Sequence, residues 1–177
     1  MALLTIPSSR TQIRNFEEIK SFLGSFGIWH DQWKASIPLN NEATDADILK
    51  AYEESLDPFM KRGEYTVADV INVHEATPDL PAIRSKFLKE HTHTEDEVRF
   101  FVDGEGLFWF NVEGEVFSLL CQAGDLISVP ANSKHWFDLG ETPFVKAIRI
   151  FKDKSGWIPH YTNSGIDEEY NPKYATN

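Results

Sequence analysis

Between residues 98 and 151 the chain breaks into short apolar runs rich in β-branched and aromatic residues, each closed by a turn signal. Val98 to Val102, Leu107 to Val112, Val116 to Cys121 and Leu126 to Val129 are such runs. Asp103-Gly104-Glu105-Gly106, Glu113-Gly114-Glu115 and Ala123-Gly124-Asp125 lie between them and read as hairpins or turns. His135 to Leu139 and Phe144 to Phe151 follow, separated by Gly140 to Pro143. Strands this close in sequence leave no room for crossover helices, so the pattern predicts an antiparallel sandwich or barrel and not βαβ units.

The first ninety residues carry a different period. Phe16, Ile19, Phe22 and Leu23 recur at helical spacing, predicting a helix that ends near Gly24 or Gly27. Thr44 to Asp47 reads as a capping box, with Ile48, Tyr52, Leu56 and Phe59 as one apolar stripe behind it and Gly63 at its end. Val67 to Val73 suits a strand. Thr77-Pro78 suits the start of a further helix burying Leu80, Ile83, Phe87 and Leu88. The expectation is a mainly β fold with α-helices (α+β). One domain would span residues 1–177, with a helical part over about 1–90, a β-barrel part over about 91–160 and a tail over 161–177.

Formal charge is −11, which disfavours nucleic acid and anionic membrane surfaces as partners. Cys121 is the single cysteine, so neither an intramolecular disulfide nor a thiolate cluster can form. The chain starts without a signal-peptide pattern and holds no apolar run of membrane-spanning length. A soluble, cytoplasmic protein is expected.

Chemistry concentrates in His91-Thr92-His93-Thr94-Glu95-Asp96-Glu97. In an extended segment His91 and His93 face one side, and Glu97 shares their parity. Two imidazoles and a carboxylate suit Fe(II), Ni(II), Mn(II) or Zn(II) better than Ca(II) or Mg(II). A His-x-His pair alone fits two surface histidines as well. Further along, Gly124 to His135 reads as a strand, a turn bounded by Pro130, and a histidine that a β-meander can return beside the first pair.

These segments resemble the two cupin motifs. From His91 to Gly104 the first motif fits. In the second, Gly124, Pro130 and His135 fit, while Asn132 and Leu139 stand where glycine and asparagine are usual. A narrower likeness covers about residues 86 to 160. His91 to Val102, Asp125 to Ala131, His135 to Gly140, Ala147 to Phe151 and Gly156-Trp157-Ile158 resemble the acireductone dioxygenase family of methionine salvage.

That resemblance implies a cupin-type antiparallel β-barrel or jelly roll flanked by helices from the N-terminal half. It implies a site of His91, His93, Glu97 and His135 holding one Fe(2+) or Ni(2+) per monomer, with two positions open for an enediol. The substrates would be a small acireductone and O2, and the enzyme would act as a monomer. With iron the products would be 4-methylthio-2-oxobutanoate and formate; with nickel, 3-methylthiopropionate, formate and carbon monoxide. Arg99 would favour the substrate dianion, although an outward arginine paired with Glu95 or Asp96 has the same spacing. Glu90 and Asp96 would serve metal incorporation or conformational relay, and a solvated acidic cluster reads equally well. Arg149 is a second cation near the site or half of a structural salt bridge. Phe87, Phe101, Trp136 and Phe137 are candidates for the pocket wall, against a default of core packing. His30, His74 and His160 lack ligand-like neighbours. The rival functions are another metal-dependent cupin enzyme and a non-enzymatic cupin ligand-binding module.

Overall fold

The computed structural model describes residues 1–35, 39, 43–153, 155 and 158–170. Its organising element is β6 (Glu97–Val112), sixteen residues long. The first half of β6 pairs with β8 (Asp125–Val129) and β10 (Val145–Phe151); the second half pairs with β7 (Glu115–Gln122) and β9 (His135–Asp138). One strand therefore belongs to both walls of the barrel. The Asp103 to Gly106 segment, expected as a hairpin, is instead the bend where β6 passes from one sheet to the other. Gly104 makes that bend possible: its φ is +72°, and a Cβ there would lie 2.0 Å from the Phe144 carbonyl oxygen.

Each wall extends outward by antiparallel neighbours. Beyond β7 lie β1 (Leu3–Ile6) and β2 (Thr11–Ile13), and beyond β9 lie β5 (His91–Thr92) and β11 (His160–Tyr161). On the other sheet β3 (Trp29–Gln32) joins β8 and β4 (Val67–Val73) joins β10. The strand expected at Val67 to Val73 is present. β1, β2 and β3 correct the helical reading of the first ninety residues: each is three or four residues long and takes its conformation from the strand beside it.

Helix α1 (Phe16–Ser25) is capped by the Asn15 side chain accepting from the Glu18 N–H, and it buries Ile19 and Leu23. The capping box at Thr44 forms as expected, opening α2 (Asp45–Ala51). The stripe behind it divides at Tyr52, where α3 (Glu53–Gly63) begins, yet Ile48, Tyr52, Leu56 and Phe59 still share one buried face. α4 (Leu80–Phe87) starts two residues later than the Thr77-Pro78 signal, because the Thr77 hydroxyl is engaged by the His74 N–H. A short α5 (Ile166–Tyr170) follows β11. Gly156 and Trp157 lie outside the described residues.

Two apolar layers result. Phe101, Phe108, Phe110, Phe117 and Phe137 fill the barrel with Ile19 and Leu23, while Val98, Phe100, Val102, Ile148 and Ile150 meet α2 and α3 on the outer face. Both faces of residues 97 to 102 are thus covered, which is why that run is continuously buried and shows no polar alternation. No helix among the described residues is long and apolar enough to cross a membrane.

Gly104→Ala should cost about 3 kcal/mol or more, combining left-handed strain with a backbone clash. Gly114→Ala, at φ +84° with nothing within 4 Å of the new Cβ, should cost only about 1–2 kcal/mol. Urea denaturation midpoints of the two variants measure the difference.

Candidate metal centre

β5, the loop after it, the start of β6 and the start of β9 converge at the mouth of the barrel. His91 pairs directly with His135 across β5 and β9, and Glu97 opens β6. The pairing expected from parity and the proline-bounded turn is formed: one ligand-capable atom from each of His91, His93, Glu97 and His135 lies within 4.8 Å of the others. All four residues are buried.

The orientation of each imidazole is fixed from behind. His91 Nδ1 lies 2.7 Å from the Lys89 carbonyl oxygen, His135 Nδ1 2.9 Å from that of Ser133, and His93 Nδ1 3.3 Å from that of Ile158. A carbonyl only accepts, so each Nδ1 carries the proton and donates, and each neutral ring presents its Nε2 lone pair inward. Those lone pairs meet a carboxylate: Glu97 Oε2 is 2.9 Å from His135 Nε2 and 3.3 Å from His93 Nε2. Acceptors gathered this closely call for a cation among them. Burial and the neighbouring His135 pull His91 down to about 4, so the His91 ring is neutral near neutrality and keeps its inward lone pair available to a metal ion. Three imidazole nitrogens and one carboxylate oxygen fit a divalent first-row transition ion.

Arg99 points inward, not outward toward Glu95 or Asp96. It is 3% exposed, and its Nη2 donates to Glu97 Oε1 at 2.6 Å. Its guanidinium lies 4.4 Å from the Phe137 ring centroid and 5.2 Å from that of Phe108. Burial alone would push the Glu97 carboxyl up; the Arg99 charge, with contributions from His135 and His93, outweighs it and holds the group well below the usual carboxylate range. Burial also draws Arg99 down from the usual guanidinium value, with Glu97 opposing. The pair remains ionic.

Arg149 serves both readings offered by the sequence. Its Nε and Nη2 donate to the two Asp69 oxygens at 2.8 Å each, and the residue also lines the metal pocket. That pocket, about 70 Å³, is walled by Phe87, Phe137, Lys86 and Pro159. Phe101 does not reach it. It has the inward parity of Glu97 and Arg99 but sits deeper, fully buried in the barrel against Phe108 and Phe137. Trp136 faces away from the pocket and stacks on Trp109 at 5.7 Å.

Glu90 and Asp96 engage backbone and side-chain donors around the site. Glu90 accepts from Asn111 Nδ2, Thr162 Oγ1 and Ser164 Oγ, fastening residues 162 to 164 beside β5. Against burial, these donors hold its carboxyl below the usual value. Asp96 Oδ1 accepts from the Ala131 N–H and braces the turn before His135. In that turn Asn132 has φ +64° and its N–H donates to the His93 carbonyl. Asparagine tolerates this conformation, which accounts for its standing at a motif glycine. Sequence reasoning missed the carbonyl anchors at Lys89, Ser133 and Ile158 and the wall residue Pro159. Backbone carbonyls carry no residue-type signal, so only the fold reveals them. His30 is structural, its Nε2 3.1 Å from Asp125 Oδ1.

An antiparallel barrel with three imidazoles and one carboxylate converging at its mouth defines a cupin with a mononuclear metal-binding site. The comparison with protein families narrows this further: the model described as the ARD/ARD' family matches residues 9–159. The chain belongs to that acireductone dioxygenase family. It is 54% identical over 171 residues to an acireductone dioxygenase of Picosynechococcus sp., covering 96% of this chain and 97% of that protein. It is 47% identical over 154 residues to one from Granulibacter bethesdensis, covering 87% and 86%. Among solved structures it resembles acireductone dioxygenase from Bacillus anthracis, which holds a cadmium ion in its active center. The TM-score is 0.85 at 38% identity, covering 91% of this chain and 98% of that one.

The His91 shift sets a pH dependence for the metal-depleted protein. Folded His91 titrates at about 4, whereas the unfolded residue titrates near ~6.5. Between those values the unfolded state binds more protons, so stability is fully present above the upper limit and falls as pH drops through the window. Urea midpoints from neutral pH downward should show this decline, and His91→Gln should flatten it.

Proposed function

We propose that the chain is an acireductone dioxygenase that cleaves 1,2-dihydroxy-3-oxo-5-methylthiopentene with O2. It would use one Fe(2+) or Ni(2+) held by His91, His93, Glu97 and His135. The observation that carries this reading is the convergence of four buried donors within 4.8 Å beside a buried guanidinium, in a chain of this family. When bound, the metal would supply a Lewis-acid template for the adjacent enediol oxygens.

The remaining work falls to the protein's own side chains. The three carbonyl anchors keep each imidazole in one tautomer and one direction, so binding a metal needs no rearrangement of the rings. Arg99, fixed between Glu97 and the Phe137 face, holds positive charge where the enediol loses its protons. Because that charge is already placed and desolvated, it favours the dianion without reorganisation. Arg149, held by Asp69, adds a second cation to the pocket wall. Phe87, Phe137 and Pro159 exclude water around the reacting carbons. The electrons that reduce O2 come from the substrate, and both oxygen atoms end in its cleavage products. With Fe(2+) bound the expected products are 4-methylthio-2-oxobutanoate and formate. With Ni(2+) they are 3-methylthiopropionate, formate and carbon monoxide. The reaction would serve methionine salvage in the cytoplasm, with the protein acting as a monomer built as one cupin domain over residues 1–177.

Oxygen uptake with product analysis tests the proposal. Anaerobically reloaded Fe(II) protein, given fresh acireductone and air, should consume O2 well above the spontaneous rate and yield the keto acid and formate. Reloading with Ni(II) should release carbon monoxide. Spontaneous-rate uptake by fully metal-loaded protein would exclude this substrate. Arg99→Met should keep its metal yet lower kcat/KM by about 10²–10³; an unchanged value would remove Arg99 from dianion formation.

A further inference from the structure

A second cavity, about 480 Å³, opens on the outer side of the ribbon formed by β4 and β10. It shares no lining residue with the metal pocket. Its volume lies within the range of small-molecule sites. The unusual member of its lining is Lys146, which is 3% exposed. Among the described residues the Lys146 side chain makes no hydrogen bond or ion pair. Asp103 stands opposite it on β6, but the Asp103 carboxylate accepts from the Gly104 N–H. The Lys146 stem is packed against the ribbon while the ammonium end is presented to the cavity.

The neighbouring polar groups are suited to an anion. Asn72 is the direct cross-strand partner of Lys146 and brings a side-chain amide that no described group engages. His74 Nδ1 accepts from the Ala76 N–H, so the proton of the neutral ring resides on Nε2 as a donor. The Thr142 hydroxyl adds a fourth donor. Facing them are buried Pro143 and the Phe144 ring, 45% exposed. The exposed Glu75 at the rim disfavours a multiply charged ligand.

We propose that this cavity binds a small monocarboxylate, with its oxygens on Lys146, Asn72 and Thr142 and its apolar body against Phe144 and Pro143. The site is separate from the metal centre and does not depend on the dioxygenase reading.

Amide chemical-shift titration of the full-length, Zn(II)-loaded protein tests it. Butyrate is the probe, with sulfate in parallel and ionic strength held constant by sodium chloride. Butyrate should produce saturable shifts at Asn72, His74, Thr142 and Phe144, and sulfate should bind more weakly. Lys146→Met should weaken butyrate binding by at least about tenfold, the loss expected for a charged hydrogen-bond partner. Lys146→Arg should retain most of the affinity. Should Lys146→Met fail to fold, the rim variant Thr142→Val serves instead and should weaken binding about threefold. The proposal is overturned by an absence of saturable shifts, by shifts confined to His91 and His93, or by equal affinity in Lys146→Met. Sulfate binding in preference to butyrate overturns the carboxylate assignment.

Discussion

The Glu97 carboxylate is 2% exposed and is shared between two opposite demands. One oxygen accepts from Arg99 at 2.6 Å and the other faces the Nε2 atoms of His93 and His135. Removing such ions from water costs several kcal/mol each, and only close pairing inside a sealed site offsets that. The barrel supplies the seal. Without Arg99 the carboxylate would face the imidazole lone pairs with less opposing charge. Without Glu97 the guanidinium would be a buried cation beside a proposed cation site.

Much of the fold follows from keeping that pair dry. β6 contributes Glu97 and Arg99 to the interior while Val98 and Phe100 turn outward into the layer built by α2 and α3. The same strand then bends at Gly104 and closes the other wall with Phe108 and Phe110. Phe137 and Phe108 shield the guanidinium. Glu90 holds residues 162 to 164 beside β5, so the short terminal strand β11 stays paired with the segment that bears His91.

The site was more legible in the sequence than the fold around it. His91, His93 and Glu97 share strand parity and His135 follows a proline-bounded turn, and the family resemblance of these segments then joined the four into one site. Arg99 was legible in position, but only the interior packing against Phe137 decides between the inward and outward readings. β1 to β3 escaped notice because strands of three or four residues leave too little pattern. Continuity of β6 was hidden by Gly104 and Gly106, residues that mark a hairpin and a bend alike. The Asp69–Arg149 pair joins residues eighty positions apart, a contact that no local pattern encodes. Phe101 shows the limit of parity, which sets the face of a residue but not its depth.

The central claim is that His91, His93, Glu97 and His135 form one cation site, and X-ray absorption at the nickel edge tests it most directly. Metal-depleted protein titrated with Ni(II) should take up one equivalent, with three imidazoles in the coordination shell, and His135→Ala should reduce that number to two. An imidazole count that is unchanged in His135→Ala would contradict the assignment.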